Sequence, residues 1–278
     1  MEHNISCMSF NLLSRNTGGT TFAEAPVRFP YAVKTIFKYN PDILGVQEAE
    51  AWVKSAQLDW YIEMTKVLTT LGNYDYCAII DDKDCKLERQ TIGAGLIIFF
   101  KKNRFTLMDR GCVRYEEGPD RYFQWVKLHD NDFDKDVVVT NTHFSINPWN
   151  ADRTARDVEK GRSLREIEGV HLCDFWKENV AEGTALFATG DYNHVSAEPA
   201  FAALHNGPFV FSRDIAKEPD PHTRNTVDYI YVNPAATDVE HYLTILDTFE
   251  KDSPIVDGDP ILYRSSDHWP TICYANYK

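Results

Sequence analysis

Asp191 and Asn193 lie two positions apart and carry a carboxylate and an amide, side chains that can bind a cation. They follow residues 185–188, an apolar run whose short length is typical of a buried strand rather than of a helix. Gly190 lets the chain turn sharply where that strand ends. Two positions apart in an extended segment, the carboxylate and the amide leave the same face of the chain. Together they suit an oxygen-preferring cation such as Mg²⁺ or a phosphate-bound water, although Gly-Asp-x-Asn is also a common turn.

Polar side chains also end or open five other apolar segments. Taken singly, most have an ordinary structural interpretation as a turn cap, a solvated carboxylate or a buried histidine. Asp228 is harder to explain in this way, because a carboxylate inside an apolar strand must be paired or is costly to bury. One shared site is a more economical explanation than six coincidences. The segments carry Asn11; Gln47 and Glu48; Asn141, Thr142 and His143; Asp228; and Ser266, Asp267 and His268.

These polar residues lie in a pattern of short predicted strands with helices between them. Strands are predicted over residues 5–10, 42–48, 74–80, 95–100, 122–128, 137–142, 185–188, 227–232 and 269–273. Helices are predicted over residues 31–37, 52–71, 153–178 and 198–204, with a loop over residues 14–26. This pattern predicts two sheets packed face to face and covered outside by helices. Without repeats or a Pro/Ser-rich linker, residues 1–278 are expected to form a single domain.

The charge balance limits the class of partner. The net charge of −13, from 29 basic and 42 acidic residues, argues against tight electrostatic binding to a polyanion without excluding a nucleic-acid substrate. The sequence has no apolar run of 18 residues, so no transmembrane segment is predicted.

The cysteines and the N-terminus bear on the compartment. The six cysteines include no CxxC pair, and reduced, buried cysteines are expected, which favours a reducing compartment. Residues 1–4 are polar and show no signal peptide. A cytoplasmic protein is expected, or a secreted or periplasmic one if a leader has been removed.

Six motifs in this order resemble the endonuclease/exonuclease/phosphatase superfamily, the group of DNase I, exonuclease III, neutral sphingomyelinases and inositol-polyphosphate phosphatases. Each motif alone is modest, but their joint order from residue 8 to about residue 273 is specific. The motifs are Met8-Ser9-Phe10-Asn11, Pro41-Asp42-Ile43-Leu44-Gly45-Val46-Gln47-Glu48, Asn141-Thr142-His143-Phe144, Gly190-Asp191-Tyr192-Asn193, Val227-Asp228-Tyr229-Ile230-Tyr231-Val232 and Ser266-Asp267-His268.

The resemblance implies a DNase I-like fold: a four-layer α/β (α+β) sandwich of two packed mixed β-sheets flanked by helices, with the site at one rim between the sheets. It implies that Glu48 binds the metal, with Asn11 and Asp267 close to the same cation. The implied cofactor is Mg²⁺, with Mn²⁺ as a substitute, as one or two ions.

The resemblance also implies catalytic roles. Asp191 and Asn193 resemble the pair that orients the attacking water, and they are candidates to hold a second metal. His268 resembles the catalytic histidine, with Asp228 as its partner, and His143 resembles the histidine that touches the phosphoryl oxygens. Whether His268 or Asp191 is the general base stays open at this point.

Two departures from the family pattern stand out. Tyr192 replaces the usual Phe or Leu, with little consequence for the metal. Ser145-Ile146-Asn147 stands where many bacterial members continue with Asp-His, so the contacts beyond His143 are open.

Four residues are candidates for substrate contact: Trp149 in a loop near the rim, Arg153 beside the long predicted helix, and Arg121 and Tyr122. Trp149 could equally be a packing anchor. The arginines on or beside the helix are interpreted mainly as a solvated face paired with nearby acids, namely Arg153, Arg156, Arg162 and Arg165 with Asp152, Asp157, Glu159 and Glu166.

The expected activity is Mg²⁺-dependent hydrolysis of a phosphoester, more specifically a phosphodiester in a small molecule or lipid headgroup. The alternatives are a nuclease acting on DNA or RNA, which the acidic balance disfavours, and a catalytically silent binding module of the same fold. A phosphoester substrate and a monomeric state are expected.

Overall fold

The computed structural model describes residues 3–14, 24–50, 58–81, 95–116, 121–194, 198–205, 207–221, 227–247 and 265–278. The strands are β1 (Ile5–Asn11), β2 (Ile43–Gln47), β3 (Tyr74–Ala78), β4 (Ile97–Lys101), β5 (Phe105–Arg114), β6 (Tyr122–Asp130), β7 (Lys135–His143), β8 (Ala185–Asp191), β9 (Val210–Phe211), β10 (Asp228–Val232), β11 (Thr237–Thr244) and β12 (Thr271–Tyr277). The helices are α1 (Ala25–Tyr39), α2 (Trp60–Leu71), α3 (Val158–Asn179), α4 (Pro199–His205) and α5 (Ser212–Ile215), and Ile79–Asp81 is a 3₁₀ turn.

The strands form two six-stranded sheets. The first has the order β11-β12-β1-β2-β4-β3 and the second the order β5-β6-β7-β8-β10-β9. Each sheet is mixed: β1 and β2 are parallel, as are β7 and β8, and the neighbouring pairs are antiparallel. α1 and α2 share an apolar cluster with the first sheet, and α3 and α4 share one with the second. The predicted architecture of two packed sheets flanked by helices is confirmed.

The alternation of side chains along β1 shows how the layers separate. Ile5 and Cys7 belong to the core between the sheets, whereas Met8 and Phe10 belong to the cluster under α1 and α2. The inner face then turns polar towards the end of the strand. Asn11, at that end, is fully buried.

Buried polar contacts join the two sheets near this end. Gln47 Nε2 donates to Asn141 Oδ1 at 2.6 Å, and the Gly190 backbone N–H donates to Ser9 Oγ at 3.1 Å. A Cβ on Gly45 would lie 1.9 Å from Thr189 Oγ1, so glycine is required where β2 approaches β8. These contacts fix how the strand ends of one sheet face those of the other.

Several predicted element boundaries are wrong. The second helix begins at Trp60, because the Asp59 side chain accepts from the Ile62 N–H and caps it. The long helix begins at Val158 rather than at Arg153, because Asp157 caps it in the same way. Helix α1 already begins at Ala25, inside the predicted loop, while residues 15–23 of that loop and residues 52–57 of the predicted helix lie outside the described residues.

The cysteine expectation needs a correction. Cys7, Cys77, Cys173 and Cys273 are free and buried, as expected, but Cys112 is disulfide-bonded. The cysteines therefore no longer favour a reducing compartment. Among the described helices, none has the length and apolar character needed to cross a membrane.

Candidate active site

Strand directions bring the predicted residues to one rim of the sandwich. Parallel β1 and β2 end together, with Asn11 opposite Gln47. Parallel β7 and β8 end together, with His143 opposite Asp191. Because β10 runs antiparallel to β8, its first residue, Asp228, pairs with Asp191 at the same rim.

The segment before β12 reaches this rim as well. β12 is antiparallel to β1, and its first residue, Thr271, lies opposite Ser9 near the end of β1. Asp267 and His268 precede Thr271 by a few residues. Residues from both ends of the chain therefore meet here.

Asn11 links the two sheets. Its Nδ2 donates to Asp191 Oδ2 at 2.9 Å and to Glu48 Oε1 at 3.3 Å. Its Oδ1 accepts from the Leu13 N–H at 3.0 Å, so the amide nitrogen faces the two carboxylates. In this arrangement Asn11 orders the carboxylates of Glu48 and Asp191.

Glu48 sits just beyond β2 in a left-handed backbone conformation, with φ of 59°, which is uncommon for a residue with a side chain. Its Oε2 accepts from the Ser14 backbone N–H at 3.0 Å. The buried Glu50 carboxylate accepts from the Ser14 hydroxyl at 3.3 Å. Ser14 thus holds two carboxylates that follow the second strand.

Asp191 Oδ2 is the centre of the site. Besides Asn11 Nδ2, it lies 3.4 Å from His143 Nε2 and 3.7 Å from His268 Nε2. Asp191 Oδ1 accepts from the Asn193 backbone N–H at 2.9 Å, while Asn193 Nδ2 donates to the Phe144 carbonyl at 3.0 Å. Asn193 therefore shapes the loop that aims Asp191.

His268 and Asp228 form the predicted pair. His268 Nδ1 lies 2.8 Å from Asp228 Oδ2, which leaves Nε2 towards Asp191. Asp267 Oδ1 lies 3.9 Å from the same Nε2. The carboxylate fixes the orientation of the ring, and the other ring nitrogen points into the site.

Burial and neighbouring charges set the protonation of the site. Burial raises the pKa of Asp191 to about 7, with Asp228 adding to the rise and His268 opposing it. Burial alone would lower the pKa of His268, but Asp228 and Asp191 hold it well above its ordinary value. Burial, with Arg121 and His268, keeps the pKa of His143 well below its ordinary value. His143 is therefore neutral near pH 7, whereas His268 carries a proton.

The chemistry of the donors fits a divalent cation. Asp191, Asp228 and His268 offer ligand atoms that all lie within 4.8 Å of one another. Asp191 and Asp228 are both buried, so their like charges repel at short range, and a cation would relieve that repulsion. The Glu48 carboxylate, which accepts a hydrogen bond from Asn11, is a further oxygen donor nearby. The carboxylate oxygens of this set are hard donors that suit Mg²⁺, whereas a protonated His268 offers no free lone pair to the ion.

The four candidate substrate residues lie in different surroundings: two are exposed and two are buried. Trp149 is 53% exposed, and the Arg156 guanidinium lies 4.2 Å from its ring centroid. Arg153 is exposed in the turn before α3, with φ of 58°. Arg121 is buried beside the site, where its Nη1 donates to the His143 carbonyl at 3.4 Å. Tyr122 is buried in a small apolar cluster.

The loop after His143 is held by Arg165 and by Glu168, a residue that the sequence pattern does not single out. Ser145 donates through its N–H and Oγ to Glu168 at 2.8 and 2.6 Å. Arg165 is not on a solvated face as predicted: it is buried, pairs with Glu198 at 2.8 Å and donates to the Ser145 carbonyl. By contrast, Arg162 pairs with Glu159 on the exposed face, as expected.

The buried Glu168 carboxyl group should make the stability of the protein depend on pH. Burial raises the pKa of its carboxyl group to about 7 from an ordinary value of 4.5, against the lowering by the Ser145 hydrogen bonds, Arg121 and Arg165. The stability contributed by the protonated form is full below about pH 4.5 and is lost as the pH rises through about 7. Gln imitates that form, so Glu168→Gln should become more stable than wild type by up to about 3 kcal/mol between pH 5 and 8.

Denaturant unfolding in EDTA at pH 5, 6, 7 and 8 measures this change. Glu166→Gln, at an exposed position on the same helix, is the matched control and should show no such trend. A difference between Glu168→Gln and wild type that stays constant over this pH range contradicts the prediction.

The sequence profile of the Endonuclease/Exonuclease/phosphatase family matches residues 8–268. Among curated proteins, no sequence matches this chain significantly.

Solved structures with the same fold cover almost the whole chain. An endonuclease/exonuclease/phosphatase family protein from Bacteroides thetaiotaomicron has a TM-score of 0.75 at 18% identity, covering 99% of this chain and 98% of its own. A mannosyl-6-phosphatase from the same species has a TM-score of 0.74 at 17% identity, with coverages of 98% and 99%. The catalytic domain of human Nocturnin has a TM-score of 0.72 at 19% identity, with coverages of 99% and 94%.

These likenesses confirm the DNase I-like fold, and the match over residues 8–268 decides the family. Its members are generally metal-dependent phosphoester hydrolases. The chain belongs to the Endonuclease/Exonuclease/phosphatase family and is an enzyme of that hydrolase class.

Proposed function

We propose that this enzyme uses Mg²⁺ to hydrolyse a phosphodiester bond in a small-molecule or lipid-headgroup substrate. The observation that carries the proposal is the convergence on Asp191 Oδ2 of Asn11 from the first sheet with His143 and His268. Residues 1–278 are taken as one domain and the enzyme as a monomer.

The arrangement suits hydrolysis of a phosphoester because that reaction depends on positioning and on stabilising negative charge. A bound Mg²⁺ would supply Lewis-acid stabilisation of the phosphoryl oxygens, held by Glu48 with Asp267 and Asp191 as further ligand candidates. Mn²⁺ is expected to substitute, and one or two ions can be held. Carboxylates beside an anionic substrate are tolerable only with a cation between them.

The protein side chains handle the proton of the attacking water. Asp228 holds His268 so that its Nε2 faces Asp191 Oδ2 at 3.7 Å. We infer that the Asp191 carboxylate, whose pKa burial raises to about 7, accepts the proton from water, and that the protonated His268 stabilises the negative charge of the reacting phosphoryl group. His143, neutral and buried, would donate through a ring N–H to a phosphoryl oxygen as negative charge develops there.

The charge of the protein supports a small substrate over a nucleic acid. Its net charge is −13, and a polyanion would gain little from counterion release on such a surface. Trp149 and Arg153 are the proposed substrate contacts, and Arg121 and Tyr122, which are both buried, would act through their neighbours.

A substrate panel tests the proposal. The protein is assayed with Mg²⁺, Mn²⁺ or EDTA against bis-p-nitrophenyl phosphate, p-nitrophenyl phosphate, mannose 6-phosphate, sphingomyelin, plasmid DNA and RNA. We expect Mg²⁺-dependent turnover of the small or lipid diesters above that of the monoesters and nucleic acids. Faster cleavage of DNA or RNA would favour the nuclease alternative. Full activity in EDTA would show that the reaction needs no divalent metal ion.

A further inference from the structure

We propose that Arg28 is a positioning residue that holds two loops of the active site, residues 12–14 and 265–268, in one arrangement. Its side chain is buried, with 1% of the residue exposed. Nη1 donates to the Leu12 carbonyl at 2.8 Å and to the Ser265 carbonyl at 3.0 Å, and Nη2 donates to the Leu13 carbonyl at 2.6 Å. The inference rests on the function proposed above for the same site.

The first loop carries the hydrogen bonds that aim Glu48 and Asn11. The Leu13 N–H donates to Asn11 Oδ1 at 3.0 Å, and the Ser14 N–H donates to Glu48 Oε2 at 3.0 Å. Leu13 is in the left-handed region, with φ of 52°, so this turn depends on contacts from outside it. Arg28 supplies those contacts by binding two consecutive carbonyls of the turn.

The second loop carries the residues that complete the site from the other end of the chain. Ser265 directly precedes Ser266, whose Oγ accepts from the His268 backbone N–H at 3.2 Å. Asp267 lies between Ser266 and His268 in the chain. One guanidinium therefore connects the backbone that aims Glu48 to the backbone that carries Asp267 and His268.

Arg28 is itself held in place by α2. Its guanidinium carbon lies 5.5 Å from the ring centroid of Trp60, and Trp60 Nε1 donates to the Ser14 carbonyl at 3.3 Å. The charge is also complementary, because Asp267 and Glu48 both lie within electrostatic range of the guanidinium. The residue can thus stabilise the site by geometry and by charge.

Arginine is required because the three carbonyl acceptors lie on two separate loops. A planar guanidinium presents its donors in a rigid fork, whereas a lysine ammonium is a single point charge that cannot reach both loops in the same way. Arg28→Lys therefore keeps the charge but loses the connection. A displacement of about 1 Å at a catalytic group can cost about 100-fold in rate.

The test compares Arg28→Lys with Arg104→Lys. Arg104 is a second mostly buried arginine, but it lies at the opposite end of the strands, where it binds Asp130, Asp42 and the Asn4 carbonyl. We expect Arg28→Lys to lower kcat for bis-p-nitrophenyl phosphate about 10- to 100-fold and to raise the Mg²⁺ concentration for half-maximal activity about 10-fold, with little change in KM. Arg104→Lys should lower Tm and leave kcat and the Mg²⁺ requirement unchanged.

Two further measurements separate this inference from the function itself. Crystal structures of wild type and Arg28→Lys should show residues 12–14 moved relative to residues 265–268, whatever the substrate is. If Arg28→Lys does not fold, Arg28→Ala is purified with methylguanidinium, which should restore Tm and kcat together. Unmoved loops, or an Arg28→Lys enzyme with wild-type kcat and Mg²⁺ requirement, would overturn the proposal, as would Arg28→Ala that is active without methylguanidinium.

Discussion

Asp228→Asn is expected to lower kcat by about 10²- to 10⁴-fold while the protein stays folded. The Asp228 carboxylate accepts from His268 Nδ1 at 2.8 Å and so fixes which ring nitrogen faces Asp191. An asparagine amide lacks the negative charge that keeps the proton on His268, and its NH₂ group can face the same nitrogen, so the ring loses the positive charge that would stabilise the phosphoryl oxygens. His268→Ala should show a loss of similar size, because both changes disable the same pair.

Initial rates on the best substrate of the panel, with Tm measured alongside, test this prediction. Asp238→Asn is the matched control and should leave kcat unchanged. Asp238 lies on β11 and forms a half-exposed ion pair with Lys278. Near-wild-type kcat for a folded Asp228→Asn or His268→Ala would show that the pair has no catalytic role.

Glu48→Gln is expected to abolish Mg²⁺ binding at the site and to lower kcat about 10³-fold or more. Gln can still accept from the Ser14 N–H, so the loop should keep its conformation, but it lacks the negative charge that a hard cation needs. Because Asn11 bridges Glu48 and Asp191, loss of the charge also weakens the contact that joins the two sheets at the rim.

Calorimetric titration of EDTA-treated protein with Mg²⁺ separates binding from turnover. Wild type and the Glu166→Gln control should give the same binding isotherm, and Glu48→Gln should give none at the same concentrations. Mg²⁺ binding that survives unchanged in Glu48→Gln would place the ion elsewhere. A wild-type protein without any Mg²⁺ binding would support the silent binding module instead.

The strand ends could be predicted from the sequence because their polar residues interrupt short apolar runs. Asn11, His143 and Asp191 each close such a run, and the parallel pairing of their strands places them at one rim. β5 was missed because it is an edge strand, exposed along most of its length, with no alternation of apolar and polar side chains. β11 was missed as well, and it too lies at a sheet edge.

The supporting residues of the site could not be predicted, because their partners are distant in sequence. Arg165 is interpreted from the sequence as part of a solvated helix face, yet it is buried against the loop after His143. Glu168, which the sequence pattern does not single out, is buried against the same loop. Arg28 sits in a segment where nothing local distinguishes it from a surface arginine. Its role depends on carbonyls at Leu12 and Ser265, which only the fold brings together.

The most direct test of the central claim is a crystal structure of the wild-type enzyme with Mn²⁺, whose anomalous scattering locates the ion. We expect an anomalous peak about 2.0–2.3 Å from a Glu48 carboxylate oxygen, at the rim shared by Asp191 and His268. Crystals of active enzyme with Mn²⁺ bound elsewhere, and none at Glu48, would contradict it.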